Sequence, residues 1–245
     1  MAGTVEQLAY GAAVAPYGPD IFTEPPGSPD TLGHLGPLRG LAGVWHGPDG
    51  VDEHPVAGGT EVSAYVERYE AQPIDRQTNG PQLFYGLRYH THIVEPGEVE
   101  TFHDQVGYWL WEPVTSVVTF SLAIPRGQVV LASGPVDANA TTFEVTAVRG
   151  SDTQGIVSNP FLELAFRTLS FRMAVTVHPD GTWSYEQETM LQLPDDVALF
   201  SHTDKNRLVR IGPPVDNPMA VAAAAGDGGS GLGLGSLRPL VLPRT

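Results

Sequence analysis

The stretch Gly86–Pro113, GLRYHTHIVEPGEVETFHDQVGYWLWEP, decides the fold class of this chain. Side chains alternate between the two faces of a β-strand, and the residues on either side of Pro96–Gly97 follow this period of two. Before the turn, one face is largely apolar and holds Leu83, Tyr85, Leu87, Tyr89 and Ile93. The opposite face holds Arg88, His90 and His92. The pattern predicts a β-hairpin whose first strand points His90 and His92 away from the apolar interior.

The second strand of this hairpin has apolar residues on both faces. His103 shares its face with Gln105, Gly107, Trp109 and Trp111, and the other face holds Phe102, Val106, Tyr108 and Leu110. The period alone does not decide which face is the inner one. A strand that is apolar on both faces is typical of a barrel with a lined cavity.

The same alternation recurs along the chain in short segments, separated by turn signals such as Pro125–Gly127 and His178–Gly181. We predict strands near residues 60–70, 81–94, 99–111, 114–124, 128–132, 141–148, 169–178, 182–193 and 205–211, after a first strand near Gly43. Residues 159–170 fit either a strand or a short helix. The prediction is an all-β, antiparallel up-and-down barrel of about ten strands, similar to lipocalins and fatty-acid-binding proteins.

Composition places this barrel in the middle of the chain. Residues 1–30 show little period, and residues 213–245 carry a Gly- and Ala-rich, linker-like run. Such segments bury too little apolar surface to offset the entropy of ordering. We therefore predict a largely disordered segment over residues 1–37, a barrel domain over residues 38–212 and a disordered tail over residues 213–245.

Charge and residue usage exclude several function classes. The chain has 28 Asp and Glu against 13 Lys and Arg, whereas binding to phosphate groups needs clustered Lys and Arg. It has no cysteine, so any metal must be held by histidine or carboxylate. The sequence shows neither a signal-peptide pattern nor an apolar run of membrane-spanning length. We expect a cytoplasmic protein that binds neither nucleic acid nor membrane.

Four short motifs follow one another in an order that points to a known family. They are Gly43-x-Trp45-x-Gly47, Phe102–Tyr108 (FHDQVGY), Trp183–Tyr185 and His202. In this order they resemble the nitrobindins, which are haem-binding barrels similar to fatty-acid-binding proteins. The middle motif has Gln105 where that family usually has Glu, and Gly50 lies one position later than the corresponding glycine of the first motif.

The resemblance implies one haem b per chain, with His202 as the axial, metal-binding residue just before the last strand. It implies His103 beside the cofactor, Ile124 and Met190 in the pocket wall, and a structural motif of Gly43, Trp45 and Gly47. The implied activity is the isomerisation of peroxynitrite to nitrate by ferric haem, with His202 and His103 as the catalytic residues. Binding of NO is implied as well.

Two other functions stay open from the sequence. The barrel could carry an apolar small ligand without any chemistry. Alternatively, His90 and His92, with Glu95 and Glu98, are similar to the His-x-His…Glu metal site of cupin enzymes. In this chain, however, only three residues separate Gly86 from His90, where cupins usually have five. The preferred interpretation of His90 and His92 is a solvent-facing pair, because strand parity points both outward.

Overall fold

The computed structural model describes residues 17–194 and 198–227. Its strands are β1 Gly43–Val56, β2 Gly59–Pro73, β3 Gln77–Asn79, β4 Gln82–Val94, β5 Thr101–Glu112, β6 Val117–Ile124, β7 Gln128–Pro135, β8 Thr142–Val148, β9 Ile156–Ser158, β10 Arg167–Val177, β11 Trp183–Gln192 and β12 Phe200–Gly212. Its helices are α1 Thr31–His34, α2 Pro160–Ala165 and α3 Pro218–Asp227, with a 3-10 helix over Gly36–Leu41. No helix in this part of the chain combines the length and apolar character needed to cross a membrane.

Ten of these strands form a closed antiparallel barrel. Successive barrel strands pair with one another along the chain, while the short strands β3 and β9 attach to β4 and β7. Pairing of β2 with β4 and of β1 with β12 completes the circle. The predicted all-β, up-and-down barrel is therefore confirmed. Residues 159–170, for which the sequence fitted either a strand or a short helix, contain parts of both. Helix α2 is followed directly by strand β10.

Aromatic side chains build much of the barrel core. Trp109 is fully buried, and its ring centroid lies 4.1 Å from that of Phe120. Its indole nitrogen Nε1 donates a hydrogen bond of 2.8 Å to the hydroxyl of Tyr69. Trp109 therefore identifies the inner face of β5, while Val106 and Tyr108 on the other face are exposed. This settles the orientation of the hairpin strand, whose two faces are equally apolar in sequence.

The Gly43-x-Trp45-x-Gly47 motif packs one part of the barrel wall tightly. Gly43 has a backbone φ angle of +132°, a conformation that residues other than glycine rarely adopt. The Asn206 side chain lies where a Cβ on Gly47 would be, and it donates to the Gly47 carbonyl at 3.2 Å. Trp45 is fully buried and donates from Nε1 to the Leu41 carbonyl at 2.8 Å. These contacts bury Trp45 and bring Gly47 against Asn206, and the structural role of the motif stays a prediction.

The ordered domain extends beyond residues 38–212 at both ends. Helix α1 leads into Leu35, which is fully buried in the core cluster. Asn217 accepts a hydrogen bond from the Thr31 amide at 3.1 Å and donates to Asp75 at 2.7 Å. Residues 31–37 and 217–219, which the sequence pattern predicted to be disordered, therefore contact the barrel domain through tertiary interactions that show no sequence period. Residues 1–16 and 228–245 lie outside the described residues.

Candidate functional site

The barrel surrounds a cavity of about 510 Å³. Sites for small ligands and cofactors typically measure about 300–1,000 Å³ and have mainly apolar walls. The apolar wall residues include Ile93, Phe120, Leu122, Ile124, Phe171, Met173 and Leu191. Helix α2 adds Phe161 and Leu162 to the lining, and Phe161 is 65% exposed. Helix α2 therefore lies where the cavity meets solvent.

His103 and His202, the two histidines singled out by the family resemblance, both line this cavity. His103 comes from β5 and His202 from β12. His202 lies inside the last strand, because β12 begins at Phe200 and not at Lys205 as the sequence predicted. The segment around His202 is too polar to show an apolar period. Pairing with β1 on one side and β11 on the other makes it a strand.

A carboxylate holds the His202 ring in place. Asp52 Oδ1 lies 2.8 Å from His202 Nε2, and Asp52 Oδ2 lies 2.6 Å from His54 Nδ1. Burial alone would raise the pKa of Asp52, but the hydrogen bonds and charges of His202 and His54 hold that pKa below its ordinary value. Burial opposes protonation of His202, yet contact with Asp52 raises its pKa. One nitrogen of this imidazole is therefore engaged by a carboxylate, as in many metal-binding histidines.

His103 belongs to a different hydrogen-bonded chain. Its Nε2 lies 3.3 Å from Gln105 Oε1, and Gln105 Nε2 donates to the Tyr89 hydroxyl at 2.7 Å. Burial lowers the pKa of His103, so its neutral form is favoured. Gln105, which stands where the family usually has Glu, thus adds no charge beside His103. A neutral imidazole in the cavity can hydrogen-bond a bound ligand.

Two further carboxyl groups line the cavity. Glu67 is 1% exposed and accepts hydrogen bonds from Thr91 at 2.6 Å and Tyr185 at 2.9 Å. Burial raises the pKa of Glu67 above its ordinary value. Burial also raises the pKa of Asp204 to about 7, and the Gln187 amide donates to Asp204 at 2.7 Å. Both carboxyls are therefore easier to protonate than exposed ones.

The two predicted wall residues have different outcomes. Ile124 lines the cavity, but Met190 is not among the residues that surround it. Along β11, the cavity is lined by Tyr185, Gln187, Thr189 and Leu191. Alternation places Met190 on the other face of this strand, so its assignment to the wall is corrected. The methionine that lines the cavity is Met173 on β10.

Sequence reasoning missed several polar residues of the cavity, namely Asp52, His54, Glu67, Arg126, Asp204 and the hydroxyl groups around them. The signal was present for Glu67, because Tyr65, Glu67 and Tyr69 share one face of an alternating strand. An acidic residue between two tyrosines on that face suggests a buried hydrogen bond. Asp52 gave no such signal, since its contact with His202 joins residues 150 positions apart.

His90 and His92 point out of the barrel, as predicted. Leu87, Tyr89 and Ile93 on the opposite face of β4 are buried. His90 Nε2 lies 2.9 Å from Asp104 Oδ2, and neither histidine lines the cavity. The strand geometry thus contradicts a cupin-like metal site inside the barrel.

We expect the double variant His90→Ala, His92→Ala to bind a ligand in the cavity as tightly as the wild type, because both side chains lie on the outer face. Haem titration followed in the visible spectrum, with circular dichroism as a folding check, measures this. A more than about tenfold loss of affinity in a folded double variant would contradict the outward orientation.

The closed antiparallel barrel, with its largely apolar, histidine-containing cavity, has the fold class of lipocalins and fatty-acid-binding proteins. The sequence profile of the THAP4-like, heme-binding beta-barrel domain matches residues 34–210. This chain belongs to that family of haem-binding β-barrel domains, the nitrobindin family.

Comparison with individual proteins gives more distant similarities. The crystal structure of Rv2717c from M. tuberculosis is 20% identical, covers 74% of this chain and 96% of its own chain, and superimposes with a TM-score of 0.49. No curated protein sequence matches this chain. The family assignment therefore depends on the profile match.

Proposed function

We propose that this chain binds one haem b in the barrel cavity, with His202 as the residue that would hold the iron. The observation that carries this proposal is a cavity-lining imidazole with a carboxylate, Asp52, on one of its two ring nitrogens. Metal-ligating histidines usually give their other nitrogen to a carboxylate or carbonyl, which fixes the ring and raises its basicity. An imidazole must be neutral to ligate a metal. Because Asp52 favours the protonated form of His202, binding of the iron would release a proton from this histidine.

The other cavity residues suit a flat, largely apolar macrocycle that carries two carboxylates. Phe120, Ile124 and Phe171 supply apolar contacts. Arg126 lines the cavity and is exposed, and its Nη2 donates to the Phe102 carbonyl at 2.7 Å. A guanidinium at the rim can pair with a carboxylate while remaining in water. We therefore assign Arg126 to the propionate side of the cofactor.

We further propose that the holoprotein converts peroxynitrite to nitrate and binds NO. When bound, ferric haem would supply the metal centre for both reactions. The chain's own contribution is local. Arg126 attracts an anion to a protein of net charge −15, and neutral His103 can donate to or accept from a bound ligand. The apolar walls would keep water away from His103, which strengthens its interaction with a bound ligand.

The proposal is tested by adding haem to the purified full-length chain and then measuring reactivity. We expect a saturable Soret band at one haem per chain, followed by accelerated decay of peroxynitrite with nitrate as the product. The absence of a saturable Soret band would refute haem binding. A stoichiometric holoprotein that leaves peroxynitrite decaying at the rate of free buffer would refute the isomerase activity alone.

A carrier of an apolar small ligand is the second candidate. Phe161 and Leu164 of α2 are exposed, and Phe161 also lines the cavity, as residues at a ligand entrance would. A protein that takes up no haem but retains lipid in native mass spectrometry would support this function over the first.

A further inference from the structure

Strand pairing brings three metal-ligating side chains together on the inner wall of the barrel. Asp52 on β1 lies directly opposite Asp204 on β12 in the antiparallel register. His202 lies two positions before Asp204 and therefore points to the same face. All three residues line the cavity. The backbone ladder, and not a choice of side-chain rotamer, thus fixes their proximity.

The ligand atoms are close enough to share one ion. One oxygen of Asp52, one ring nitrogen of His202 and one oxygen of Asp204 lie within 4.8 Å of one another. Ligands about 2.0–2.2 Å from a zinc ion are separated by about 3.4 Å in tetrahedral geometry. Asp52 and His202 are already at 2.8 Å, so only small side-chain movements would be needed. His54 Nδ1 holds the second oxygen of Asp52 at 2.6 Å.

Charge favours a cation at this position. Carboxylates directly opposite each other on a sheet face repel, and here one of the two, Asp52, is only 6% exposed. A divalent ion would neutralise both. Imidazole and carboxylate ligands suit first-row divalent metals such as Zn²⁺ and Co²⁺, whereas thiolate-seeking ions are disfavoured in a chain without cysteine.

We propose that, in protein without haem, Asp52, His202 and Asp204 bind a divalent first-row transition-metal ion directly on the inner barrel wall. His54 positions Asp52, and water would complete the coordination. The site itself does not depend on haem binding. Its competition with haem does depend on the proposed function, because both would use His202.

The test is a titration of the haem-free, full-length protein with Co²⁺, followed by the visible d–d absorption of the ion and by calorimetry. We expect saturable binding of about one ion per chain, with intensity typical of a site of low symmetry. Zn²⁺ should displace Co²⁺. Circular dichroism melting of each variant verifies its fold.

Asp52→Asn and Asp204→Asn each remove a charged ligand while preserving side-chain size, and each should weaken Co²⁺ binding at least about tenfold. His90→Ala is the matched control, since it disrupts an exposed His–Asp pair at 2.9 Å on the outer face. It should leave binding unchanged. Equal affinity in the wild type and both asparagine variants, or loss of binding in His90→Ala, would overturn the proposal.

Comparison with haem separates the two proposals. Wild-type protein that binds haem but shows no saturable Co²⁺ binding refutes the metal site and leaves the proposed function intact. Protein that binds Co²⁺ with the expected dependence on Asp52 and Asp204 but takes up no haem supports the metal site and refutes the proposed function. If both bind, saturating Zn²⁺ should slow haem uptake by the wild type.

Discussion

His202→Ala is expected to abolish stoichiometric haem binding by this protein. The substitution removes the nitrogen that would ligate the iron, whereas loss of an outer partner of a metal ligand typically costs about 10–100-fold in affinity. The loss for His202→Ala should therefore exceed about 100-fold. Soret absorbance during haem titration measures it. Asp52 keeps its hydrogen bond to His54 at 2.6 Å, which limits the structural damage.

His103→Ala provides the matched comparison, because it truncates the other histidine of the same cavity. It should retain haem with a largely unchanged Soret intensity but react differently with NO and peroxynitrite, since His103 would contact the ligand and not the iron. The reverse result, with haem lost in His103→Ala and retained in a folded His202→Ala, would exchange the two roles.

Trp45→Ala is expected to destabilise the fold by about 3–5 kcal/mol, the cost typical of truncating a buried aromatic side chain. Trp45 is 0% exposed and meets Trp183 edge-to-face with ring centroids 6.2 Å apart. The guanidinium of Arg210 lies 4.0 Å from its ring centroid, and its Nε1 donates to Leu41. The variant loses all three contacts together.

Chemical denaturation of haem-free wild type and Trp45→Ala measures this cost. Phe22→Ala is the control, because it truncates an aromatic side chain that is 85% exposed and should change the unfolding free energy by less than about 0.5 kcal/mol. Trp45→Ala should lower Tm, and its effect on the reactivity of folded protein should be small by comparison. A variant as stable as the wild type would show that the motif around Trp45 has no structural role.

Local sequence pattern predicted most of the barrel. Alternation around Tyr89 and Met173 is a property of the strand itself, so it indicates both the strand and its inner face. Turn signals containing Gly and Pro separated these strands and indicated that they pair in antiparallel order. The same parity placed His90 and His92 outside the barrel. These features depend on neighbouring residues, which a sequence shows directly.

Alternation of side chains did not identify the inner face of a strand, or its ends, where both faces were apolar or both were polar. The inner face of β5 was decided only by packing of Trp109 against Phe120. The start of β12 was decided by pairing with two flanking strands, since the residues near His202 carry no apolar period. The family resemblance indicated that the strand containing Met190 borders the cavity, but it did not indicate which residues of that strand face inward. Met190 was therefore assigned to the wrong face.

By itself, the sequence determined an all-β barrel, the absence of thiolate ligands and, through its motifs, two candidate histidines. The tertiary structure alone decided that a carboxylate contacts His202. Asp52 reaches His202 across 150 residues because ring closure pairs the first barrel strand with the last. The pairing of β1 with β12 depends on the twist and number of all the strands between them, so no local pattern records it.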